Sequence, residues 1–246
     1  MKNKIIAMIP ARIGSKRLKF KNLALINKKP LISYAIEAAK KSKKFDKIVL
    51  NSDHKIFKDI AKRYKVDFYL RNKYLGKSNI KSDDVVYDFM KSYEYEIFCW
   101  INPIAPLQEG KDIIKTINYF NKNKLDSLIT TESKKVHGII KSKPINYNIN
   151  KKFDQTQELD SIKLFNYTIM MWKKKVFVKE YLKKNYAFFC GKFDTYDLGK
   201  DASIIVKNSE DLRMINYIIN NKNKPNFNKP RYDVLLNKTF YKKKNT

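Results

Sequence analysis

Residues that mark specialised scaffolds are scarce in this chain. Its 246 residues include two cysteines, two histidines, six glycines and seven prolines. Cys99 and Cys190 cannot build a disulfide framework, and two thiols with two imidazoles do not supply the spaced ligand sets of a structural zinc site. So little Gly and Pro excludes collagen-like and low-complexity chains. Acidic residues number 24 against 53 basic ones, a net charge of +29. No apolar run approaches the roughly 18 residues that cross a bilayer. The apolar part of residues 1–9 is too short for a secretory signal. The expectation is a cytoplasmic protein with no membrane span.

A hydrophobic core, by contrast, is well supplied. Hydrophobic residues make up 43% of the chain, with 16 Tyr and 15 Phe, which excludes a disordered basic tail. The length suits one large domain. Only six basic residues are Arg (Arg12, Arg17, Arg63, Arg71, Arg213 and Arg231); the rest are Lys, spread over the whole chain. Proteins that read nucleic-acid sequence rely on the bidentate fork of Arg. Lys, Asn and Ile are the residues an AT-rich coding sequence favours, so composition accounts for most of the charge. It predicts attraction for anions such as nucleoside triphosphates and no specific nucleic-acid partner. Non-specific nucleic-acid binding is the lesser alternative.

Periodicity predicts alternating strands and helices. Strands are expected at 4–10, 47–51, 66–70, 96–101 and 127–131, and helices at 30–42, 54–64, 82–93 and 111–122. Ser82, Asp83 and Asp84 are read as the cap of the third helix. This order implies a Rossmann-like, mostly parallel α/β sheet flanked by helices. From residue 132 the pattern changes. Residues 132–175 read as a small dimerisation or sugar-pocket insertion. Beyond it come a helix at 176–184, strands at 187–190 and 203–206, and a final helix at 209–220. The nucleotide-handling domain is taken as 1–220, and 221–246 as a loosely packed basic tail.

The loop after the first strand carries the chemistry. It reads Ile9-Pro10-Ala11-Arg12-Ile13-Gly14-Ser15-Lys16-Arg17, followed by Lys21-Asn22. At the carboxyl end of a parallel strand, backbone N–H groups at Gly14 and Ser15 with the cations Arg12, Lys16 and Lys21 suit a triphosphate. The spacing matches neither a P-loop nor a dinucleotide fingerprint.

This loop closely resembles the opening motif of the acylneuraminate cytidylyltransferases, the CMP-sialic acid synthetases. The resemblance continues through 31–39, 45–53, Leu70-Arg71, Ser82-Asp83 and Asn102-Pro103-Ile104-Ala105-Pro106-Leu107, and is looser over 132–220. It implies a nucleotide-diphospho-sugar transferase type of fold. It also implies transfer of CMP from CTP to the anomeric hydroxyl of a 2-keto-3-deoxy sugar acid, a Mg²⁺ cofactor and a homodimer. By motif, Arg12, Ser15, Lys16 and Lys21 hold phosphates, with Ala11 and Gly14 beside them. Asn22, Arg71 and Ser82 sit by ribose and cytosine, and Asn102, Lys141 and Asn166 face the sugar acid.

Three segments depart from the family: its Arg-Pro-Asn-Gly reads Leu164-Phe165-Asn166-Tyr167, its sugar motif opens with Asn102 in place of Gln, and its metal motif is altered. Where the family carries two metal-binding Asp residues, this chain has Ile205 and Lys207; Asp211-Leu212 is kept. Mg²⁺ takes oxygen ligands, which Ile205 and Lys207 do not offer. The metal is then expected to ride on the triphosphate or to use Asp53, Asp197 or Asp201. Lys207 is expected to neutralise phosphate charge itself, as a catalytic residue. The alternative is a relative that binds nucleotide or sugar without turnover.

Overall fold

The computed structural model describes residues 4–225, 227, 229, 230 and 232. Strand β1 (Ile5–Ala11) leads through a basic loop into the hairpin β2 (Leu25–Ile26) and β3 (Lys29–Pro30). Then α1 (Leu31–Ser42), β4 (Lys47–Ser52), α2 (Ile56–Tyr64), β5 (Asp67–Leu70), α3 (Ser82–Lys91), β6 (Ile97–Ile101), α4 (Gly110–Lys122) and β7 (Ser127–Lys134) alternate as periodicity predicts. A second hairpin, β8 (Ile139–Ile140) and β9 (Lys143–Pro144), precedes β10 (Ile162–Lys173), α5 (Lys174–Lys184), β11 (Phe193–Asp197), α6 (Lys200–Ser203) and α7 (Ser209–Asn221).

The main sheet has seven strands in the order β11-β7-β10-β6-β1-β4-β5. β10 alone runs antiparallel to its neighbours, while β1 pairs in parallel with both β4 and β6. The continuous apolar run of β1 is explained by two covered faces. Ile5, Ala7 and Ile9 enter the core under α1, α2 and α4, and Ile6 and Met8 enter the core under α3 and α5. A smaller cluster joins Ile26, Leu31, Leu107, Val206 and Ile215, packing α7 beside the first hairpin. Both cysteines are free and buried. Burial raises both thiols, Cys190 to about 11, which leaves neither as a thiolate near neutral pH.

Four sequence expectations change. First, residues 132–175 are not one insertion: Ile162–Lys173 lies inside the sheet, where Ile169, Met170, Met171 and Trp172 are buried on both faces. Only the stretch carrying β8 and β9 stands apart from it. Second, 187–190 is a turn, not a strand. Its backbone groups are taken by Asp83, which accepts from Ala187 N and Phe188 N, and by Trp172, whose indole donates to Phe188 O at 2.9 Å. Third, 203–206 is the end of α6 plus a loop pinned by Val206 N to Ile104 O at 2.8 Å; the strand lies earlier, at β11. Fourth, Ser82 opens α3 without capping it. Of the expected tail, residues 226, 228, 231 and 233–246 lie outside the described residues. Among the described residues no helix is long and apolar enough to cross a membrane.

Candidate functional site

Consecutive connections leave β1 in opposite directions, to β4 and β5 on one side and back to β6 on the other. Such a switch point leaves a crevice beyond the carboxyl ends of the strands. A cleft of about 600 Å³ opens there. It is lined by the end of β1 (Pro10), its loop (Arg12, Ser15, Lys16, Arg17, Leu18, Lys21, Asn22), Arg71 after β5, and Trp100, Asn102, Pro103 and Ile104 at and after β6. Leu75, Lys77, Ser78, Ile80, Lys81, Ser82 and Val85 form one wall, and Lys207 comes in from the loop before α7.

Local bonds explain how these side chains are presented. A short 3₁₀ turn, Lys21–Leu23, follows Phe20 at φ 53°. Lys21 Nζ donates to Val206 O at 3.1 Å and Asn22 Nδ2 to Arg12 O at 3.4 Å, which ties the loop to both edges of the cleft. Lys207 is held by its neighbours: Lys207 N donates to Asp211 Oδ2 at 2.7 Å, and Asn208 and Asp211 form a capping box on α7. The retained Asp211 thus fixes the segment that carries Lys207. Arg71 is 4% exposed, with Nη1 donating to Asn51 O and Asn51 Oδ1 at 3.0 Å each and Nη2 lying 3.8 Å from Asp53 Oδ1.

Electrostatics in the cleft are one-sided. Burial, with Arg17 and Arg12 alongside, lowers the Lys21 ammonium to about 8, against the pull of Asp211. Burial also lowers the pKa of Arg71, against Asp53 and Asp88; a guanidinium remains charged regardless. Three buried polar atoms of cleft residues have no partner: Asn22 Oδ1, Arg71 Nε and Trp100 Nε1. A buried donor or acceptor left without a partner is costly. Next to the cleft, sharing Lys81, Ser82, Trp100 and Asn102, a shelf of about 440 Å³ is walled by Tyr167, Met170, Phe188 and Phe189. Asp83 also borders it, already accepting Ala187 N at 2.7 Å and Phe188 N at 3.0 Å.

The cleft therefore gathers Arg12, Ser15, Lys16, Lys21, Asn22, Arg71, Ser82, Asn102 and Lys207. Other expected site residues lie elsewhere. Ala11 is buried in β1, paired with Ser52. Gly14 is exposed and does not line the cleft, and Ser15 N closes a turn on Ile13 O at 3.2 Å, so the loop offers side-chain cations more than a backbone cradle. Lys141 sits at the exposed β8–β9 turn, away from the cleft lining. Asn166 is 5% exposed and bonded on both sides: Oδ1 accepts from Thr130 Oγ1 at 2.7 Å and Thr168 N at 3.1 Å, while Nδ2 donates to Ser203 Oγ at 2.9 Å. In this arrangement it holds the β10 bulge. Trp100, Arg17, Lys77 and Lys81 line the cleft without having been singled out. Trp100 was detectable as the aromatic at the end of β6 beside the switch point.

The donor set does not fit a protein-held Mg²⁺. No carboxylate lines the cleft among the described residues, nor do three His, Cys, Asp or Glu residues cluster anywhere among them. Asp53 is buried, accepting from Ile13 N at 3.1 Å beside Arg71, and a Cβ on Gly76 would collide with its carboxylate. Asp197, at the end of β11, accepts from Thr131 and Ser133. Burial disfavours its charge, but those hydroxyls and Lys163 outweigh this and hold the carboxyl below its ordinary value. Asp201 is exposed on α6.

Comparison with known proteins agrees with this geometry. A sequence profile described as "Cytidylyltransferase" matches residues 6–192. An N-acylneuraminate cytidylyltransferase of Escherichia coli is 36% identical over 121 residues, 49% of this chain and 29% of that protein. One from Streptococcus agalactiae is 26% identical over 250 residues, 96% of this chain and 59% of that protein. The chain thus spans less than two thirds of these relatives' length. A solved CMP:2-keto-3-deoxy-manno-octonic acid synthetase complexed with CTP superposes with a TM-score of 0.70 at 13% identity, covering 89% of this chain and 99% of that one, a likeness of fold.

Proposed function

The chain belongs to the cytidylyltransferase family, and from that premise we propose that it transfers CMP from CTP to the anomeric hydroxyl of a 2-keto-3-deoxy sugar acid of the sialic acid type. The observation that carries the reading is the coincidence, in one switch-point cleft, of a cluster of cations with three unpartnered buried polar atoms, Asn22 Oδ1, Arg71 Nε and Trp100 Nε1. Cytosine presents an amino donor and ring acceptors on one edge, which complements the Asn22 oxygen and the Arg71 Nε–H. We assign the triphosphate to Arg12, Ser15, Lys16, Lys21 and Lys207, and ribose to Ser82. N-acylneuraminate is named for both sequence relatives and 2-keto-3-deoxy-manno-octonic acid for the structural one; these names support a sugar acid as acceptor.

The reaction asks little covalent chemistry of the protein. The acceptor oxygen forms a bond to the α-phosphorus, the bond from that phosphorus to the oxygen bridging to the β-phosphate breaks, pyrophosphate departs with that oxygen, and the hydroxyl proton passes to water. Alignment of acceptor and triphosphate turns this into a local event. The cations of the loop after β1 neutralise charge that shifts onto the leaving group. On the acceptor side, the shelf of Tyr167, Met170, Phe188 and Phe189 suits the apolar face and deoxy carbon of a sugar acid, with Asn102 as its polar contact. Lys141 reaches an acceptor carboxylate only if its hairpin is brought there, which a second copy of the chain would allow. Exposed Ile139, Ile140, Ile149 and Phe153 support a homodimer formed through that projecting stretch.

The test is base discrimination by calorimetry. CTP is expected to bind about tenfold or more tightly than UTP, since a mispaired buried donor or acceptor costs roughly 1–3 kcal/mol, and Asn22→Asp is expected to narrow that ratio. Equal affinity for CTP, UTP and ATP would mean the cleft reads phosphate alone.

A further inference from the structure

A cleft that concentrates positive charge and, among the described residues, has no carboxylate in its lining constrains the form of its ligand. Arg12, Lys16, Arg17, Lys21 and Lys207 all border it. The nearby acids are occupied. Asp53 is enclosed by Arg71, Ile13 N and Gly76, Asp211 accepts from Lys207 N and Asn208 N, and Asp83 accepts from Ala187 N and Phe188 N. A divalent ion seated here would meet cations and no free anionic ligand. Mg²⁺ binding by proteins ordinarily begins with one or two carboxylates.

Lys207 is, in addition, deliberately fixed. Val206 on one side is bonded through N to Ile104 O at 2.8 Å and through O to Lys21 Nζ at 3.1 Å. Asn208 on the other side caps α7. The exposed Lys207 side chain therefore leaves a backbone clamped at both edges of the cleft, next to the Lys21 ammonium.

We propose that the cleft takes a nucleoside triphosphate in its metal-free form, with the Lys207 ammonium and the loop cations meeting the phosphate charge that a protein-held divalent ion would otherwise meet. The inference rests on the nucleotide reading of the cleft. A divalent ion carried on the triphosphate cancels part of the charge the cleft attracts, so Mg²⁺ competes with the protein for the ligand.

Titration calorimetry of the full chain with CTP, in EDTA and in excess Mg²⁺, tests it, with inorganic tripolyphosphate as a base-free probe. Affinity in EDTA is expected to equal or exceed that in Mg²⁺. Lys207→Asp, an exchange at an exposed position whose fold is checked by circular dichroism, is expected to lose about tenfold or more in EDTA and to regain part of it with Mg²⁺, because the local charge changes sign. CTP binding about tenfold tighter in Mg²⁺ than in EDTA for the unaltered protein would overturn the proposal. So would tight Mn²⁺ uptake by the nucleotide-free protein, read by electron paramagnetic resonance. Tripolyphosphate binding in EDTA with no gain from the cytidine moiety would keep the metal inference and sink the cytidine reading. Absence of binding by either anion in EDTA would overturn the proposal.

Discussion

Lys21 offers the sharpest quantitative prediction, because its charge pulls stability and binding in opposite directions. Its ammonium is lowered from the ordinary 10.5 to about 8 by burial and by Arg17 and Arg12. At roughly 1.4 kcal/mol per tenfold change, such a drop corresponds to about 3 kcal/mol of unfavourable charge in the folded state. The side chain is only half buried, so solvent screening reduces this to about 1–2 kcal/mol. A folded pKa below the unfolded one means that, between pH 8 and 10.5, the unfolded chain holds more protons; the penalty is fully present below pH 8 and is relieved as pH rises through that window. Urea denaturation of the protein and of Lys21→Met, each from pH 7.5 to 9.5, isolates the effect from the other lysines. The stability difference is expected to move by about 1 kcal/mol in favour of the unaltered protein over that range. Triphosphate affinity should fall over the same range as the cation is lost, and calorimetry at pH 8.5 in buffers of different ionisation enthalpy should show proton uptake on binding. A stability difference that does not change with pH, with no proton uptake, would refute the account of this lysine.

Three other outcomes follow from the site. Arg71→Lys keeps the charge but cannot span Asn51 O, Asn51 Oδ1 and Asp53 together; CTP affinity is expected to fall about tenfold while tripolyphosphate affinity changes by less than about threefold, and equal losses would move Arg71 to the phosphates. Asn166→Ala removes three buried hydrogen bonds and is expected to cost about 2–4 kcal/mol in urea denaturation; a variant of unchanged stability with lost acceptor binding would return Asn166 to the sugar. Ile139→Asp combined with Ile140→Asp should shift the mass seen by light scattering from a dimer to a monomer, and an unchanged mass would reject that surface as the interface.

The fold was readable where periodicity is strong. β1 announced itself as an apolar run ended by Pro10, and the strand-helix alternation to residue 131 placed the switch point and hence the cleft. The loop motif then supplied most of the lining, because residues adjacent in sequence stay adjacent around a short turn. What was not readable depends on contacts between distant segments. β10 returns to the middle of the sheet between β6 and β7, and an antiparallel strand inserted there has no local signature. The run 187–190 has strand-forming residues but no neighbour to pair with, since Asp83 and Trp172 take its backbone groups. Asn166 and Thr130 meet across 36 residues, so a motif position that suggested a ligand contact proves to be occupied internally. Lys207 was visible as a missing carboxylate, and its clamp between Ile104, Lys21 and Asp211 emerges only in three dimensions.

Transfer of CMP leaves a directly measurable product. CTP is incubated with N-acylneuraminic acid and, separately, with 2-keto-3-deoxy-manno-octonic acid and related sugar acids, and the mixtures are analysed by mass spectrometry alongside a pyrophosphate assay. The account predicts a CMP-sugar from at least one of these acids, with one pyrophosphate released for each molecule formed. Bound CTP with neither CMP-sugar nor pyrophosphate, across the whole set of acids and both with and without Mg²⁺, would contradict it.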